Sequence, residues 1–376
     1  IYIYISFKVR TKLCAIGDNS RNLTLIDSAL FAVCLDNEKS NHSDRVIQSL
    51  LSGDDARNRW FDKSFQLIVD ARGLATINFE HSWGDGVALL RLMKESFCDT
   101  KHNHFVHPNQ FVDPSLYLKN NLRHIEFTLT DSLRGIIQEA QEKHSLVGSK
   151  LSFGTVEFFG INRQMIKCSK LSPDSILQLA IQLAFYRLHK RFVPTYESCS
   201  TAAFLGGRTE CIRSATVATS NAVLAIDQSR SNVGEHLKKC TVTHSLLVKE
   251  AATGQGFDRH LMGLRITADR LGWIQPELFN SEIFKYMNQF VISTSTLSTD
   301  AVMFGGFGPV TPDGYGIGYN VFDNKIGAVI TSYQVNIHLS SYLKFLTLDR
   351  HDAKVFANAL LESLDILKNI IHKKML

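Results

Sequence analysis

The chain has 376 residues, 44% apolar and 20% charged, with 41 Lys and Arg against 36 Asp and Glu. That balance belongs to globular chains and excludes wholesale disorder, collagen-like repeats and a long coiled coil. A net charge of +5 gives no reason to expect nucleic acid, and no apolar run approaches the roughly 18 residues that span a bilayer.

At about 150 residues per domain, two domains are the plain expectation. The seven cysteines (Cys14, Cys34, Cys98, Cys168, Cys199, Cys211 and Cys240) are odd in number, and no pair has C-x-x-C spacing. This argues against a disulfide framework or a zinc ribbon and fits a reducing compartment.

Residue 1 is Ile, and the opening IYIYISFKVR reads as a strand already under way, without the pattern of a signal peptide. Residues missing before Ile1 are expected. Trp60–Val69 reads as a strand, Asp70–Gly73 as a turn and Leu74–Phe79 as a second strand. Gly84–Phe97 has helical periodicity, with Val87, Leu90 and Met93 on successive turns. Asp99–Asp113 is polar and rich in His, a linker candidate, and a domain boundary is expected near residue 120.

A strand is predicted at His124–Thr128 and a helix from Asp131 to about Lys143. Pro173 behind Ser172 marks a helix start, with the helix running to Lys190. Further helices are predicted near Gly256–Leu271, Pro276–Tyr286 and His351–His372. Strands are predicted near Gln289–Thr294, Tyr315–Phe322 and Lys325–Ser332. Strands and helices alternating in this way argue for an α/β or α+β chain.

Four stretches could carry chemistry. In Phe79-Glu80-His81-Ser82-Trp83-Gly84-Asp85-Gly86 a strand ends at an imidazole, glycines open the backbone and a helix begins. His81 in this H-x-x-x-D-G pattern suits a general base, with Asp85 placed to support it. Taken alone, the pattern equally fits a structural histidine at a turn. Asn162–Asp174 brings Arg163, Lys167 and Lys170 to a helix start marked by Ser172-Pro173-Asp174. That suits a phosphate, and equally a solvated basic loop.

Tyr196–Thr201 and Gly206-Gly207-Arg208-Thr209 cluster hydroxyls with an arginine, fit for a small polar substrate or for a capped strand. Ser293-Thr294-Ser295-Thr296 ends a strand, where a hydroxyl could donate to an oxyanion. The glycines of Gly305–Pro309 and Asp313–Gly318 precede a strand rather than a helix, which disfavours a dinucleotide fold. Lys101–His107 holds three histidines but no carboxylate or Cys to complete a metal set, so a solvated loop is expected.

In this order, RWFDKSFQLIV, FEHSWGDGVALLR, KLSPDSILQLAIQLAFYR, TYESCSTAAF with GRTE, GFDRHLMGLR, STSTLSTDAV with GGFGPV, and PDGYGIGYNVFDNKIG resemble the choline/carnitine acyltransferase family over residues 57–333. Within the family the resemblance is to the mitochondrial long-chain carnitine enzymes. It implies an α/β fold of two chloramphenicol-acetyltransferase-like domains, with mixed sheets covered by helices. Residues 1–120 would be the C-terminal part of an incomplete first domain, and 121–376 the second domain with the CoA and carnitine segments.

The resemblance implies a reversible carnitine O-acyltransferase that moves palmitoyl-like groups between CoA and carnitine in fatty-acid oxidation. By that resemblance His81 would be the base, Asp85 its supporting acid and Ser295 the donor to the tetrahedral intermediate. CoA would meet Arg163, Lys167, Lys170, Ser172 and Asp174; Arg163 replaces the usual Lys, and Asn162 the usual Gly. Carnitine would meet Tyr196, Ser198 and Thr209, with Arg259 facing its carboxylate. Gly305, four residues before Pro309, would leave an acyl tunnel open where short-chain members carry Met.

CoA and carnitine esters are substrates, and no cofactor, metal or nucleic acid is expected. The parent would be a monomer on the matrix side of the inner mitochondrial membrane, attached through its missing N-terminal part. The alternatives are an H-x-x-x-D-G acyltransferase with another alcohol acceptor, or an inactive truncated fragment.

Overall fold

A computed structural model describes residues 2–39, 42–53, 55–103, 122–296, 299–334 and 352–375. The chain is α/β with mixed sheets and divides into two compact units. The first comprises Ile1–Gly84 and Glu95–Ser149, the second Asp85–Lys94 and Lys150–Leu376. The boundary expected near residue 120 lies outside the described residues.

The first unit holds α1 (Tyr2–Cys14), α2 (Asn19–Ser28), β1 (Ala32–Leu35), α3 (Ser43–Leu51), β2 (Phe65–Val69) and β3 (Ala75–Phe79). The helix α4 (Gly86–His102) is shared with the second unit, and α5 (Asp131–Gly148) completes the first. β1 pairs parallel with β2, and β2 pairs antiparallel with β3. The Asp70 side chain accepts the amides of Arg72 and Leu74 at 2.8 and 2.9 Å. With Gly73 at φ +81°, this closes the tight turn between β2 and β3.

Two strand expectations are corrected here. From Tyr2 the opening run begins a helix, not a strand: Ile and Tyr are apolar at both parities, so the run carries no true two-residue polar alternation. The segment 124–128 is extended but pairs with no strand. Asn19 and Asn22 side chains take its backbone instead: Asn19 Nδ2 donates to Thr128 O (2.8 Å), Asn19 Oδ1 accepts from Thr128 N (2.9 Å), and Asn22 Nδ2 donates to Glu126 O (2.7 Å). The strand predicted from Trp60 starts only at Phe65. The helix predicted from Asp131 is capped by Thr130 and runs on to Gly148.

The second unit continues with β4 (Leu151–Phe158), α6 (Arg163–Cys168), α7 (Pro173–His189), β5 (Thr195–Ser200), β6 (Thr209–Ile212), α8 (Val217–Asp227) and α9 (Val233–Ala252). Then come α10 (Asp258–Arg270), α11 (Glu277–Asn280), α12 (Glu282–Met287), β7 (Ile292–Thr296), β8 (Tyr315–Val321), β9 (Ile326–Tyr333) and α13 (Ala353–Met375). The six strands form one mixed sheet in the order β4-β9-β8-β7-β5-β6, with β5, β7 and β8 parallel at its centre.

α7 is buried from Ser175 to Phe185, mostly through apolar residues, with the polar Ser175, Gln178 and Gln182 buried among them. It packs against α8, α9 and α13. Its Ile176, Leu177, Ile181 and Leu183 share one core with Ile292, Ile317 and Ile330 of the strands. Fully burying each such side chain contributes about 1.5–3 kcal/mol, as an upper estimate.

β4, α8 and α9 are not among the expected elements. Gly154 breaks the strand signal of β4, yet it is needed: a Cβ there would collide with the Ala353 carbonyl at the start of α13. Among the described residues, no helix is long and apolar enough to cross a membrane. All seven cysteines are free.

Candidate active site

The site-forming strands are built on a two-residue alternation. In β5, Thr195, Glu197 and Cys199 are buried, while Tyr196 and Ser198 between them are half-buried. The parallel register sets Tyr196 against Ser293 and Glu197 against Thr294. One face of β5 and β7 therefore presents Tyr196, Ser198 and Ser295, and the opposite face presents Glu197 and Thr294.

On the first face Ser198 Oγ and Ser295 Oγ lie 3.1 Å apart, and either can donate. Two hydroxyls sharing one hydrogen bond keep one proton free, available for a substrate oxygen.

Arg259 joins the same group. Its Nη2 donates to Tyr196 OH at 3.1 Å and to Thr209 Oγ1 at 3.2 Å, and its Nε donates to Thr209 O at 3.2 Å. The guanidinium lies 5.9 Å from the Tyr196 ring centroid. Burial pushes the Tyr196 phenol up, and the Arg259 charge opposes it. The structure thus brings Tyr196, Thr209 and Arg259 together, and Ser198 with Ser295, from four separate stretches of chain. The start of α10 is fixed by Arg213, which grips Asp258 bidentately (Nε–Oδ2 3.1 Å, Nη2–Oδ1 2.6 Å) and so positions Arg259 next to it.

The glycine stretches have a packing reason. Gly316 and Gly318 of β8 are crossed by the backbone of Gly305–Gly308. A Cβ on Gly316 would come within 2.6 Å of Phe307 O, and one on Gly318 would fall on the Gly305 carbonyl. Thr331 of β9 donates to Phe307 O at 2.6 Å and anchors the crossing.

His81 sits exposed in the turn after β3, its ring 4.7 Å from that of Phe79. Asp85 is gripped bidentately by Arg208, Nε to Oδ2 and Nη2 to Oδ1, both at 3.0 Å. The Asp85 carboxylate thus meets an arginine 123 residues along the chain, a link that no local spacing signals.

In the segment expected to meet CoA, Asn162 is a helix N-cap whose side chain accepts the Met165 amide at 3.0 Å. A cap here is a gain that Gly would not supply. Arg163 turns onto Val321 O through Nε (3.0 Å) and Nη2, with Asp323 3.7 Å away. Lys167 and Lys170 are exposed, Lys170 in the left-handed region at φ +56°. Ser172 caps α7 by accepting from Ser175 N at 3.3 Å, with Pro173 in the first turn as expected. Asp174 points inward, accepting Tyr319 OH at 2.6 Å.

Sequence spacing gave no sign of the buried group behind this face. Asp174, Glu197 and His244 each place a potential ligand atom within 4.8 Å of the others. Both ring nitrogens of His244 are committed to protein partners, Glu197 at 2.8 Å and Ser175 at 3.0 Å, which leaves no nitrogen lone pair for an ion. Of the three histidines of Lys101–His107, His102 closes α4 with Nδ1 2.7 Å from Cys98 O; His104 and His107 lie outside the described residues.

Set beside known proteins, residues 5–347 match the choline/carnitine O-acyltransferase family, and the chain belongs to it. The chain is 39% identical over 371 residues to the mitochondrial carnitine O-palmitoyltransferase 2 of Xenopus tropicalis, covering 97% of this chain and 54% of that protein. It is 44% identical over 331 residues to the mitochondrial carnitine O-palmitoyltransferase 2 of Homo sapiens (87% and 50% covered). It is 33% identical over 331 residues to the human carnitine O-acetyltransferase (84% and 51% covered). The chain spans about half the length of these relatives.

Proposed function

We propose that this chain carries the carnitine-side and CoA-side machinery of a reversible carnitine O-acyltransferase acting on long-chain, palmitoyl-like acyl groups. The observation that carries this reading is the convergence of Tyr196, Thr209 and Arg259 beside the Ser198–Ser295 pair. A guanidinium held by a phenol and a hydroxyl suits a carboxylate. A shared hydroxyl pair suits an alcohol and the oxyanion it becomes part of.

In the forward direction the neutral His81 imidazole takes the proton of the carnitine hydroxyl as its oxygen attacks the thioester carbonyl. Ser295 donates to the tetrahedral oxyanion. Collapse breaks the carbon–sulfur bond, and the imidazolium returns the proton to the thiolate. The reverse reaction uses the same groups. Lys167 and Lys170, with Arg163 and the start of α7 at Ser172 and Asp174, are the CoA segment. Gly305 leaves room for a long chain, each further buried CH₂ being worth about 0.8 kcal/mol.

The relatives' mitochondrial naming supports a mitochondrial location; within it, this reading puts the parent on the matrix side of the inner membrane. The parent works as a monomer, with CoA and carnitine esters as substrates rather than cofactors.

The test is thiol release from palmitoyl-CoA by the full-length protein carrying this chain, with carnitine, choline or a neutral alcohol as acceptor. Carnitine should be preferred, and His81→Ala should lower kcat by about 10²–10⁴. Equal rates with choline would overturn the carnitine reading. Unchanged turnover in His81→Ala would overturn the base assignment.

A further inference from the structure

Behind the strands that carry Tyr196, Ser198 and Ser295 lies a buried polar cluster of which the reading above uses only Asp174. Glu197, only 3% exposed, stands between Tyr196 and Ser198 and points to the helix-covered face. Its Oε2 lies 2.8 Å from His244 Nε2 on α9. His244 Nδ1 lies 3.0 Å from Ser175 Oγ near the start of α7.

A second line runs alongside. Asp174, next to Ser175, accepts from Tyr319 OH at 2.6 Å. Gln178 Nε2 donates to Tyr319 OH and to Thr294 Oγ1 at 3.1 and 2.9 Å. Thr294 Oγ1 donates to the Tyr196 carbonyl at 3.0 Å, and Ser214 Oγ donates to Gln178 Oε1 at 3.0 Å. One line begins at Asp174, the last residue of the CoA segment, the other at Ser175 next to it, and both end on β5.

Ser175, His244 and Glu197 have the connectivity of a hydrolytic triad, but Ser175 is 1% exposed and no substrate reaches its hydroxyl. A buried polar ring whose members satisfy one another instead fixes geometry.

We propose that Glu197 is a positioning residue for the acceptor alcohol, holding Tyr196 and Ser198 in place through its bond to His244. It does so from the far side of the strand, and this proposal rests on the carnitine reading above. The titratable groups facing Glu197 are Asp174 from α7, His244 from α9, Tyr319 from β8 and Cys199 from its own strand.

Burial pushes the Glu197 carboxyl up to about 7, against the bond and charge of His244, and Asp174 adds to the rise. Burial lowers His244, but its bond to Glu197 and the carboxyl charges outweigh that and raise it. The cluster therefore holds a proton near neutrality. Losing it leaves two carboxylates, Asp174 and Glu197, facing one another under β5. Carnitine binding should loosen as pH rises through this range, while acyl-CoA binding should not.

The experiment measures KM for carnitine and for palmitoyl-CoA between pH 6 and 8.5 in the full-length protein. The wild type should show a carnitine KM that rises with pH while the palmitoyl-CoA KM stays flat. Glu197→Gln, a neutral stand-in for the protonated carboxyl, should hold the carnitine KM at its low-pH value, so that it lies below the wild-type value at pH 8.5. It should also remove the pH dependence, with kcat and palmitoyl-CoA KM within about twofold. His244→Gln, which removes the imidazole, should flatten the same profile if Glu197→Gln does not fold.

A carnitine KM independent of pH in the wild type would overturn the proposal. So would variants in which kcat and both KM values shift together with the profile unchanged, as for a merely structural role. No turnover of carnitine by the wild type would instead sink the acceptor assignment itself.

Discussion

On one face of β5 and β7 stand Tyr196, Ser198 and Ser295, half-buried, with hydroxyls that still have capacity to bond. On the other, one residue along, stand Glu197 and Thr294, buried and bonded to helix side chains and backbone. The same short sequence, Tyr-Glu-Ser, supplies both. The faces differ because an unpaired polar group costs about 1–3 kcal/mol when buried and little when a substrate or water can reach it. A functional face can keep unsatisfied hydroxyls only because the supporting face keeps few.

The largest expected blow to this division is Ser295→Ala. It removes a donor from the open face and should lower kcat by about 10²–10³ with little change in either KM. A loss seen mainly in KM would assign Ser295 to binding. Next comes Arg259→Gln, which removes the charge beside Tyr196 and Thr209. It should raise the carnitine KM by about 10–100-fold, the worth of a charge-assisted bond, and narrow the preference for carnitine over choline. An unchanged acceptor preference would take the carboxylate away from this arginine.

Gly318→Ala tests the crossing of Gly305–Gly308 over β8. The added methyl meets the Gly305 carbonyl, so stability should fall by about 1–3 kcal/mol, read as a lower denaturant midpoint. An unaffected midpoint would mean that the crossing yields freely.

The smallest effect is on pH and stability, and it belongs to the closed face. Burial raises the Glu197 carboxyl in the folded protein from its ordinary value of 4.5 to about 7. The native state therefore binds the extra proton between those values, and stability contributed below about 4.5 is lost as pH rises toward 7. The slope is at most about 1.4 kcal/mol per pH unit for one proton. Glu197→Gln should flatten it in melting curves taken across pH 5–7.5, and an unchanged slope would place the proton elsewhere.

The parts of this architecture written in short-range pattern were legible in the sequence. Ser172-Pro173 marked the start of α7, and the β3 to α4 turn around His81 followed from glycines and periodicity. The choice of Tyr196, Ser198, Thr209 and Arg259 came from motif resemblance; in the structure Arg259 bonds Tyr196 and Thr209, and Ser198 bonds Ser295. What stayed hidden depends on contacts across long separations. Glu197 meets His244 47 residues away, and Arg208 meets Asp85 123 residues away. Gly154 reads as a strand breaker until α13 is seen against it.

The doubly bonded side chain of Asn19 carries one more consequence. It donates to and accepts from Thr128 just as a neighbouring peptide unit would. An extended stretch such as 124–128 would otherwise offer a free row of backbone groups to another chain. A carboxamide in that row works as a plug against strand addition. It protects the segment from self-association at the cost of one side chain rather than a whole extra strand.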